Sequence, residues 1–172
     1  MTFAPLVAAL GSAPSAELLR LSRSYVQTLA APPERVLPLL TPLGERYWAP
    51  GWEPELRWQP PHGRVGTLFV IRHPGEPETV WLLDTFDPGA GHVHYLHLTP
   101  GSDVTEIDIQ LRPGPEKGTR AEVRYTWTAL TEAGNAKLRR HTPEEFLHSM
   151  QSWERQLNHY LQTGKRLEHP HP

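Results

Sequence analysis

Residues 142–164 have the sequence TPEEFLHSMQSWERQLNHYLQTG, which predicts one long amphipathic helix. Thr142, Pro143 and Glu145 stand in the order of an N-cap, a first-turn proline and the glutamate of a capping box. The apolar side chains recur at helical spacing: Phe146, Met150, Trp153, Leu157 and either Tyr160 or Leu161. Gly164 is a natural C-terminal stop. The predicted helix runs over residues 143–163, and its apolar face needs a partner.

The segment before this helix is typical of an antiparallel sheet. Its clearest strand is 120–130, where apolar and polar residues alternate. Turns rich in proline and glycine separate the other predicted strands of this segment: 55–58, 66–72, 79–86, 92–99 and 103–111. One more strand, 19–29, precedes two short helices that begin near Pro33 and at Pro42.

This order predicts an α+β fold. A curved antiparallel sheet of six or seven strands would wrap around the C-terminal helix, with two short helices after the first strand. The long helix is the only predicted element able to cover the apolar face of the sheet. Curvature leaves a space between sheet and helix that side chains fill only partly, and small ligands bind in concave apolar sites of this kind.

The composition narrows the classes of function. A chain of 172 residues with 38% hydrophobic and 21% charged residues is expected to form one soluble globular domain. The absence of cysteine excludes disulfides, thiolate metal sites and cysteine nucleophiles. A net charge of −2 without long charged runs argues against nucleic-acid binding through phosphate contacts.

The sequence also predicts where the domain lies in the chain. Residues 1–17 are expected to be a loosely ordered extension, 18–164 the ligand-binding domain and 165–172 a disordered tail. No apolar run is long enough to span a membrane, and no basic segment precedes the apolar N-terminal residues. We therefore expect a cytoplasmic protein, either a monomer or a homodimer.

Three segments of the sequence resemble segments of a known protein superfamily. Residues 31–36 (APPERV) are similar to its first short helix, and residues 41–52 (TPLGERYWAPGW) and 128–136 (TALTEAGNA) are similar to phrases of one bacterial subgroup. The chain thus resembles the helix-grip proteins of the START and Bet v 1-like superfamily, also labelled SRPBCC or polyketide cyclase-like. The resemblance covers about 18–164 and implies a central cavity for lipids, polyketides or similar hydrophobic molecules, but it does not select a reaction.

The predicted cavity has an aromatic wall. Met150 and Trp153 lie on the inner face of the long helix, and Tyr125 and Trp127 share one face of strand 120–130. In a single-layer fold these four side chains are expected to meet, with Tyr95 and His97 supplying a polar end. The predicted ligand-binding residues are Trp81, Tyr95, His97, Tyr125, Trp127, Met150 and Trp153.

Strand 92–99 contains three histidines with two different orientations. His92 and His94 share one face and are close enough to bind one metal ion, whereas His97 points to the other face. No further motif completes such a site, so no metal and no cofactor is predicted. The apolar pattern does not decide which face is buried. The size of Tyr95 favours Tyr95 and His97 facing inward.

Two carboxylates, Asp84 and Glu45, have either a chemical or a structural role in the predicted fold. Asp84 lies among apolar residues, where it is either a desolvated acid or base or a rim residue that binds backbone N–H groups. Glu45 is expected to pair with Arg46 or to bind the turn at Pro50 and Gly51, which is a structural role.

Three functions follow from these patterns. The first is binding of a small hydrophobic, lipid- or polyketide-like ligand in a cavity. The second is a cyclase- or dehydratase-like enzyme, with His97 or Asp84 as the candidate catalytic residue at the cavity centre. The third is a co-chaperone-like protein-interaction module, which would expose a large apolar patch instead of an enclosed pocket.

Overall fold

The computed structural model describes residues 17–62 and 64–167. Its centre is a seven-stranded sheet in which every neighbouring pair is antiparallel, in the order β1-β7-β6-β5-β4-β3-β2. The strands are β1 (Arg20–Leu29), β2 (Glu55–Trp58), β3 (Leu68–Ile71), β4 (Thr79–Asp87), β5 (His92–Thr99), β6 (Asp103–Pro113) and β7 (Thr119–Ala129). The expected fold class and its strand number are confirmed.

The helices surround one face of this sheet. Between β1 and β2 lie α1 (Pro33–Val36), a 3-10 turn (Leu37–Leu40) and α2 (Pro42–Glu45). A second 3-10 turn, Pro115–Lys117, connects β6 and β7. After β7 follow α3 (Glu132–Leu138) and the long α4 (Pro143–Thr163).

Helix α4 begins and ends where the sequence predicts. The Thr142 hydroxyl accepts a hydrogen bond from the Glu145 backbone N–H at 3.1 Å, and the Glu145 carboxylate accepts one from the Thr142 N–H at 3.2 Å. This is the predicted capping box. Gly164 ends the helix with φ 69°, a left-handed conformation that glycine adopts without steric cost.

Helix α4 is fixed along the edge strand β1. The Glu154 carboxylate accepts hydrogen bonds from the Tyr25 hydroxyl at 2.8 Å and from the Thr28 N–H at 2.7 Å. The Asn158 side chain accepts from the Ala30 N–H at 2.8 Å and donates to the Thr28 carbonyl at 2.9 Å. These polar contacts hold one side of α4 in place.

The hydrophobic core lies between the sheet and the helices. The side chains of β6 alternate between buried and half-buried positions, because successive residues of a strand point to opposite faces. Several strands contribute fully buried residues to the core, among them Phe69, Leu83, Val93, Ile109 and Val123. Met150 and Leu157 cover this core from α4.

One helix is absent from the sequence prediction. No helix is predicted between strand 120–130 and the helix over residues 143–163, but Glu132–Leu138 form α3. The Thr131 hydroxyl caps this helix by accepting from the Gly134 N–H at 3.2 Å. A Cβ atom on Gly134 would lie 2.0 Å from the Ser102 carbonyl oxygen, so this tight contact requires glycine.

The predicted chain ends fall largely outside the described residues. Of the expected N-terminal extension only Glu17 is described, and of the expected tail only 165–167. Over the described part of the chain, no helix combines the length and hydropathy needed to cross a membrane.

Candidate functional site

A cavity of about 430 Å³ lies between the sheet and α4, and we call it the main cavity. Its walls include six large aromatic side chains: Trp48, Trp52, Trp81, Tyr95, Tyr125 and Trp153. Aliphatic side chains from β6 and α4 complete them: Ile107, Ile109 and Met150. This size and lining are typical of a site for a small, largely apolar molecule.

Packing and hydrogen bonds hold the aromatic walls in position. Trp48 stacks on Trp153, with ring centroids 5.8 Å apart and an interplanar angle of 6°. Trp52 meets Trp81 edge to face at 5.3 Å. The indole N–H groups of Trp48 and Trp52 each donate to a backbone carbonyl at 2.8 Å. The pocket is therefore largely formed before any ligand enters.

Tyr95 faces this cavity but has already used its hydroxyl. The group donates a hydrogen bond to the Leu40 carbonyl at 2.8 Å, which ties β5 to the 3-10 turn after α1. Burial raises the pKa of Tyr95 well above its usual value, so the phenol stays neutral. Its role in the cavity wall is that of a fixed aromatic surface.

Glu45 lies at the main cavity and not in the local structural contact that the sequence predicts. Its side chain lines the main cavity, although the residue keeps part of its surface accessible. Within the described residues its carboxyl group has no hydrogen-bond or ion-pair partner, and burial raises its pKa to about 8. The expected pair with Arg46 is absent, because Arg46 binds Glu53 at 3.2 Å.

One side of the main cavity has a polar rim. The rim residues are on α4, on the flank away from its contacts with β1: His148, Ser149, Ser152 and Gln156. His148 and Ser149 are exposed. The arrangement leaves an apolar interior with one carboxyl group and a hydrophilic margin beside solvent.

A second cavity of about 390 Å³ adjoins the first and has more ionisable side chains in its lining. The two share Trp81, Tyr125, Ser149 and Met150. The side chains that only the second cavity contacts are His97, Asp103, Thr105, Trp127, Lys137, His141, Glu145 and Phe146. Met150 and Tyr125 thus lie between the two spaces.

His97 faces the second cavity. Its ring stacks on Trp81 at 4.2 Å with an interplanar angle of 6°. Its buried Nε2 has no hydrogen-bond partner among the described residues. Burial, assisted by the positive charge of Lys137, lowers the pKa of His97 to about 4, so the imidazole is neutral at neutral pH.

Charges in the second cavity are paired. The Lys137 ammonium donates to the Asp103 carboxylate at 2.7 Å, and the Asp103 side chain is only 1% exposed. The Ser102 hydroxyl also donates to Asp103, at 2.6 Å. Burial would raise the pKa of Asp103, but the hydrogen bonds from Lys137 and Ser102 outweigh it and lower the pKa.

The structure divides the predicted ligand-binding residues between the two cavities. Trp81, Tyr125 and Met150 contact both cavities. Tyr95 and Trp153 contact only the main cavity, whereas His97 and Trp127 contact only the second. The expected single wall is therefore two walls that meet at Tyr125 and Met150.

Asp84 lies outside both cavities. The register between β4 and β5 shifts between Leu83 and Thr85, so Asp84 is the extra residue of a β-bulge. Its side chain is 49% exposed and contacts His94 at 3.1 Å. The interpretation of Asp84 as a desolvated acid or base at the cavity centre is wrong.

His92 and His94 are on the opposite side of the sheet from His97. His92 contacts Asp108 at 2.8 Å, and His94 contacts Asp84. Among residues 17–62 and 64–167, no group of three or more histidine, cysteine or acidic side chains has an arrangement able to hold a metal ion.

Solved structures with the same architecture support the assignment of the fold. Norcoclaurine synthase from Thalictrum flavum is 13% identical, with 85% of this chain and 88% of the synthase covered at a TM-score of 0.63. Ara h 8.0201 is 14% identical, with 84% and 99% covered at a TM-score of 0.61. A Staphylococcus aureus protein of unknown function is 13% identical, with 86% and 97% covered at a TM-score of 0.63.

At these identities the similarity concerns the fold alone. No protein-family model matches the sequence, and no curated protein is significantly similar to it. The chain is an α+β protein whose antiparallel sheet holds a long C-terminal helix. This is the helix-grip fold that the resemblance in the sequence implied, and the solved structures named above share it.

Proposed function

We propose that the protein binds a small, flat, hydrophobic ligand in the main cavity. The observation that carries the proposal is the 430 Å³ space with four tryptophans and two tyrosines in its walls. Aromatic rings supply large apolar area with few rotatable bonds, so binding costs little side-chain entropy. Met150 adds a flexible surface that adapts to the shape of the ligand.

The first experiment asks whether the protein carries a ligand from the cell. Native mass spectrometry of the purified protein is expected to detect a co-purified hydrophobic or aromatic molecule. Extraction followed by titration with the neutral fluorescent probe N-phenyl-1-naphthylamine then measures the emptied site. Saturable binding of one probe per chain supports the proposal, whereas no saturable binding contradicts it.

A pair of tryptophan variants locates the probe. Trp153→Ala removes the ring that stacks on Trp48, which should destabilise the protein by about 3 kcal/mol and weaken probe binding. Trp127→Ala is the matched control, because Trp127 is buried and contacts only the second cavity. It should destabilise the fold and leave probe binding largely intact. If folded Trp153→Ala binds the probe as tightly as wild type, Trp153 only fills the core.

The alternative of a cyclase- or dehydratase-like enzyme depends on His97. An efficient general base has a pKa near the working pH. A buried, neutral imidazole with a pKa of about 4 is instead suited to orient a ligand by a hydrogen bond from or to Nε2. The concave shape of the main cavity also favours a small-molecule ligand over the interaction-module alternative.

A further inference from the structure

Among the residues that the structure describes, Glu45 is the only acidic side chain that lines the main cavity. A carboxyl group in an apolar space normally has a hydrogen-bond partner or an ion-pair partner, because the unpartnered group costs free energy. Within the described residues Glu45 has neither. The group is therefore available to something that enters the cavity.

The aromatic walls, like the carboxyl group, favour a cationic ligand. The π-faces of tryptophan and tyrosine attract cations, and cages of such rings bind quaternary ammonium groups in other proteins. The main cavity combines Trp48, Trp52, Trp81 and Trp153 with Tyr95 and Tyr125. Neither lysine nor arginine is among its lining residues, so an anionic ligand would meet no fixed positive charge there.

We propose that the main cavity selects a ligand with an ammonium group on an apolar or aromatic body, and that Glu45 is its counter-ion. This inference rests on the proposed function, because it names the chemistry of the ligand in the same cavity. When the cation binds, Glu45 gives its proton to solvent, and the carboxylate and ammonium neutralise each other within the aromatic walls.

The mechanism predicts a pH dependence with a defined sign. Burial holds the pKa of Glu45 at about 8 in the empty cavity, so at lower pH each cation must displace one proton. Affinity should therefore rise about tenfold per pH unit from pH 6 towards pH 8 and level off above. A cation without a titratable proton assigns this dependence to the protein.

Other ionisable groups lie near Glu45. Those that share the main cavity are Tyr95 on β5, Tyr125 on β7 and His148 on α4. Next to Glu45 in the chain, Arg46 is paired with Glu53. The adjoining second cavity contains His97, Asp103, Lys137, His141 and Glu145. Burial raises the pKa of Tyr95 and Tyr125, so both phenols keep their protons between pH 7 and 8. Burial lowers the pKa of His97 and His141, so both imidazoles are already neutral in this range.

The test compares two probes of the same shape. Benzyltrimethylammonium is a permanent cation, and 2,2-dimethylpropylbenzene is its neutral isostere. Each competes with N-phenyl-1-naphthylamine for the protein between pH 6 and pH 9. We expect the cation to bind at least about tenfold more tightly than the isostere at pH 8.5, and the isostere to show no comparable pH slope.

Two variants assign the slope to one residue. Glu45→Gln keeps the size of the side chain and is expected to lose the pH slope and the preference for the cation, while it still binds the neutral isostere. His148→Gln removes the imidazole on the rim of the main cavity, and the slope should persist whatever its effect on affinity.

Three results would overturn the inference. They are a cation affinity independent of pH, a Glu45→Gln variant that keeps the slope, and a neutral isostere that binds as tightly as the cation at pH 8.5. The failure of the proposed function has a different signature, because then neither probe, nor the fluorescent reporter, binds wild type saturably.

Discussion

The main cavity and the second cavity lie side by side under α4 and share Trp81, Tyr125, Ser149 and Met150. They differ in whether the buried carboxyl group has an ion-pair partner among the described residues. In the second cavity, Asp103 is paired with Lys137 and remains charged. In the main cavity, Glu45 is alone and is neutral at neutral pH. Burial acts on both carboxyl groups, so the difference comes from the partners.

The comparison shows that an unpaired buried carboxyl group lowers folding stability but can interact with a ligand. The fold satisfies Asp103 internally, which makes this residue part of the architecture. It leaves Glu45 without a partner among the described residues, so ionisation of this carboxyl group lowers the stability of the empty protein and a cationic ligand can offset that cost. Variants of the two cavities should therefore shift stability in opposite directions.

The largest effect is expected for Glu45→Gln at alkaline pH. The folded wild type keeps a proton that the unfolded chain loses, because the pKa of Glu45 is about 8 when folded and 4.5 as the ordinary value. Wild-type stability should thus fall between pH 4.5 and 8, by at most about 1.4 kcal/mol per pH unit, relative to the variant. At pH 8.5 the variant should be more stable by an amount on the order of 4 kcal/mol.

Urea unfolding from pH 4.5 to 8.5 measures this difference. Glu53→Gln is the matched control, because Glu53 forms an exposed ion pair with Arg46 and should shift stability by less than about 1 kcal/mol at any of these pH values. A Glu45→Gln variant that is less stable than wild type at pH 8.5 would show that Glu45 has a partner in the folded protein.

The second effect concerns the wall between the cavities. Met150 is 3% exposed and contacts both spaces. Met150→Ala should join the two cavities and destabilise the protein by about 3 kcal/mol, since a buried side chain is replaced by empty space. The joined cavity should admit longer probes than the wild type does. Met150→Leu, which conserves volume, should cost less than about 1.5 kcal/mol. Equal probe-length limits in folded Met150→Ala and wild type would mean that the spaces are not continuous.

The third effect tests the paired charge. Asp103→Asn should destabilise the protein by about 2 kcal/mol at pH 7, because Lys137 loses its partner yet remains partly accessible to water. The folded pKa of Asp103 is lowered, so this contribution is present above the ordinary value of 3.8 and disappears as the pH falls through the folded value. Asp108→Asn, at an exposed contact with His92, is the control and should change stability by less than about 1 kcal/mol. A loss that does not shrink as the pH falls below 3.8 would contradict an electrostatic origin.

The smallest effect is expected for His97→Phe. Phenylalanine keeps a ring to stack on Trp81 and removes a buried Nε2 that has no partner among the described residues. At pH 7 thermal unfolding should show a change of less than about 1 kcal/mol, in the stabilising direction. A loss above about 2 kcal/mol would indicate that His97 makes a hydrogen bond, for instance through water.

The elements were predictable where local signals agree with the tertiary structure. The capping box at Thr142 and the stop at Gly164 determine α4 through neighbouring residues alone. The alternation in β7 works in the same way. Helix α3 was missed because its conditions are remote: Gly134 fits against the Ser102 carbonyl, and Asn135 accepts a hydrogen bond from the Leu19 N–H.

The site was less predictable than the fold. Asp84 directly follows the buried Leu83, so alternation alone places it on the face away from the cavities. The sequence did not reveal this because apolar residues occur on both faces of β4. Glu45 was assigned to a local pair because Arg46 follows it. Helical spacing would have indicated that Glu45 faces inward, since Trp48 follows three residues later and is buried. Whether Arg46 or Glu45 finds a charge partner depends on how α2 packs, which a short segment does not encode.

The contacts of Glu154 and Asn158 with β1 have a consequence for contact between chains. An edge strand exposes backbone groups that a strand of another molecule can pair with, which is one route to aggregation. Here the side chains of α4 already occupy the free groups of Thr28 and Ala30. The opposite edge, β2, has the charged residues Glu55 and Arg57, which disfavour such pairing. The bonds that hold the helix thus also block pairing at the C-terminal end of this edge strand.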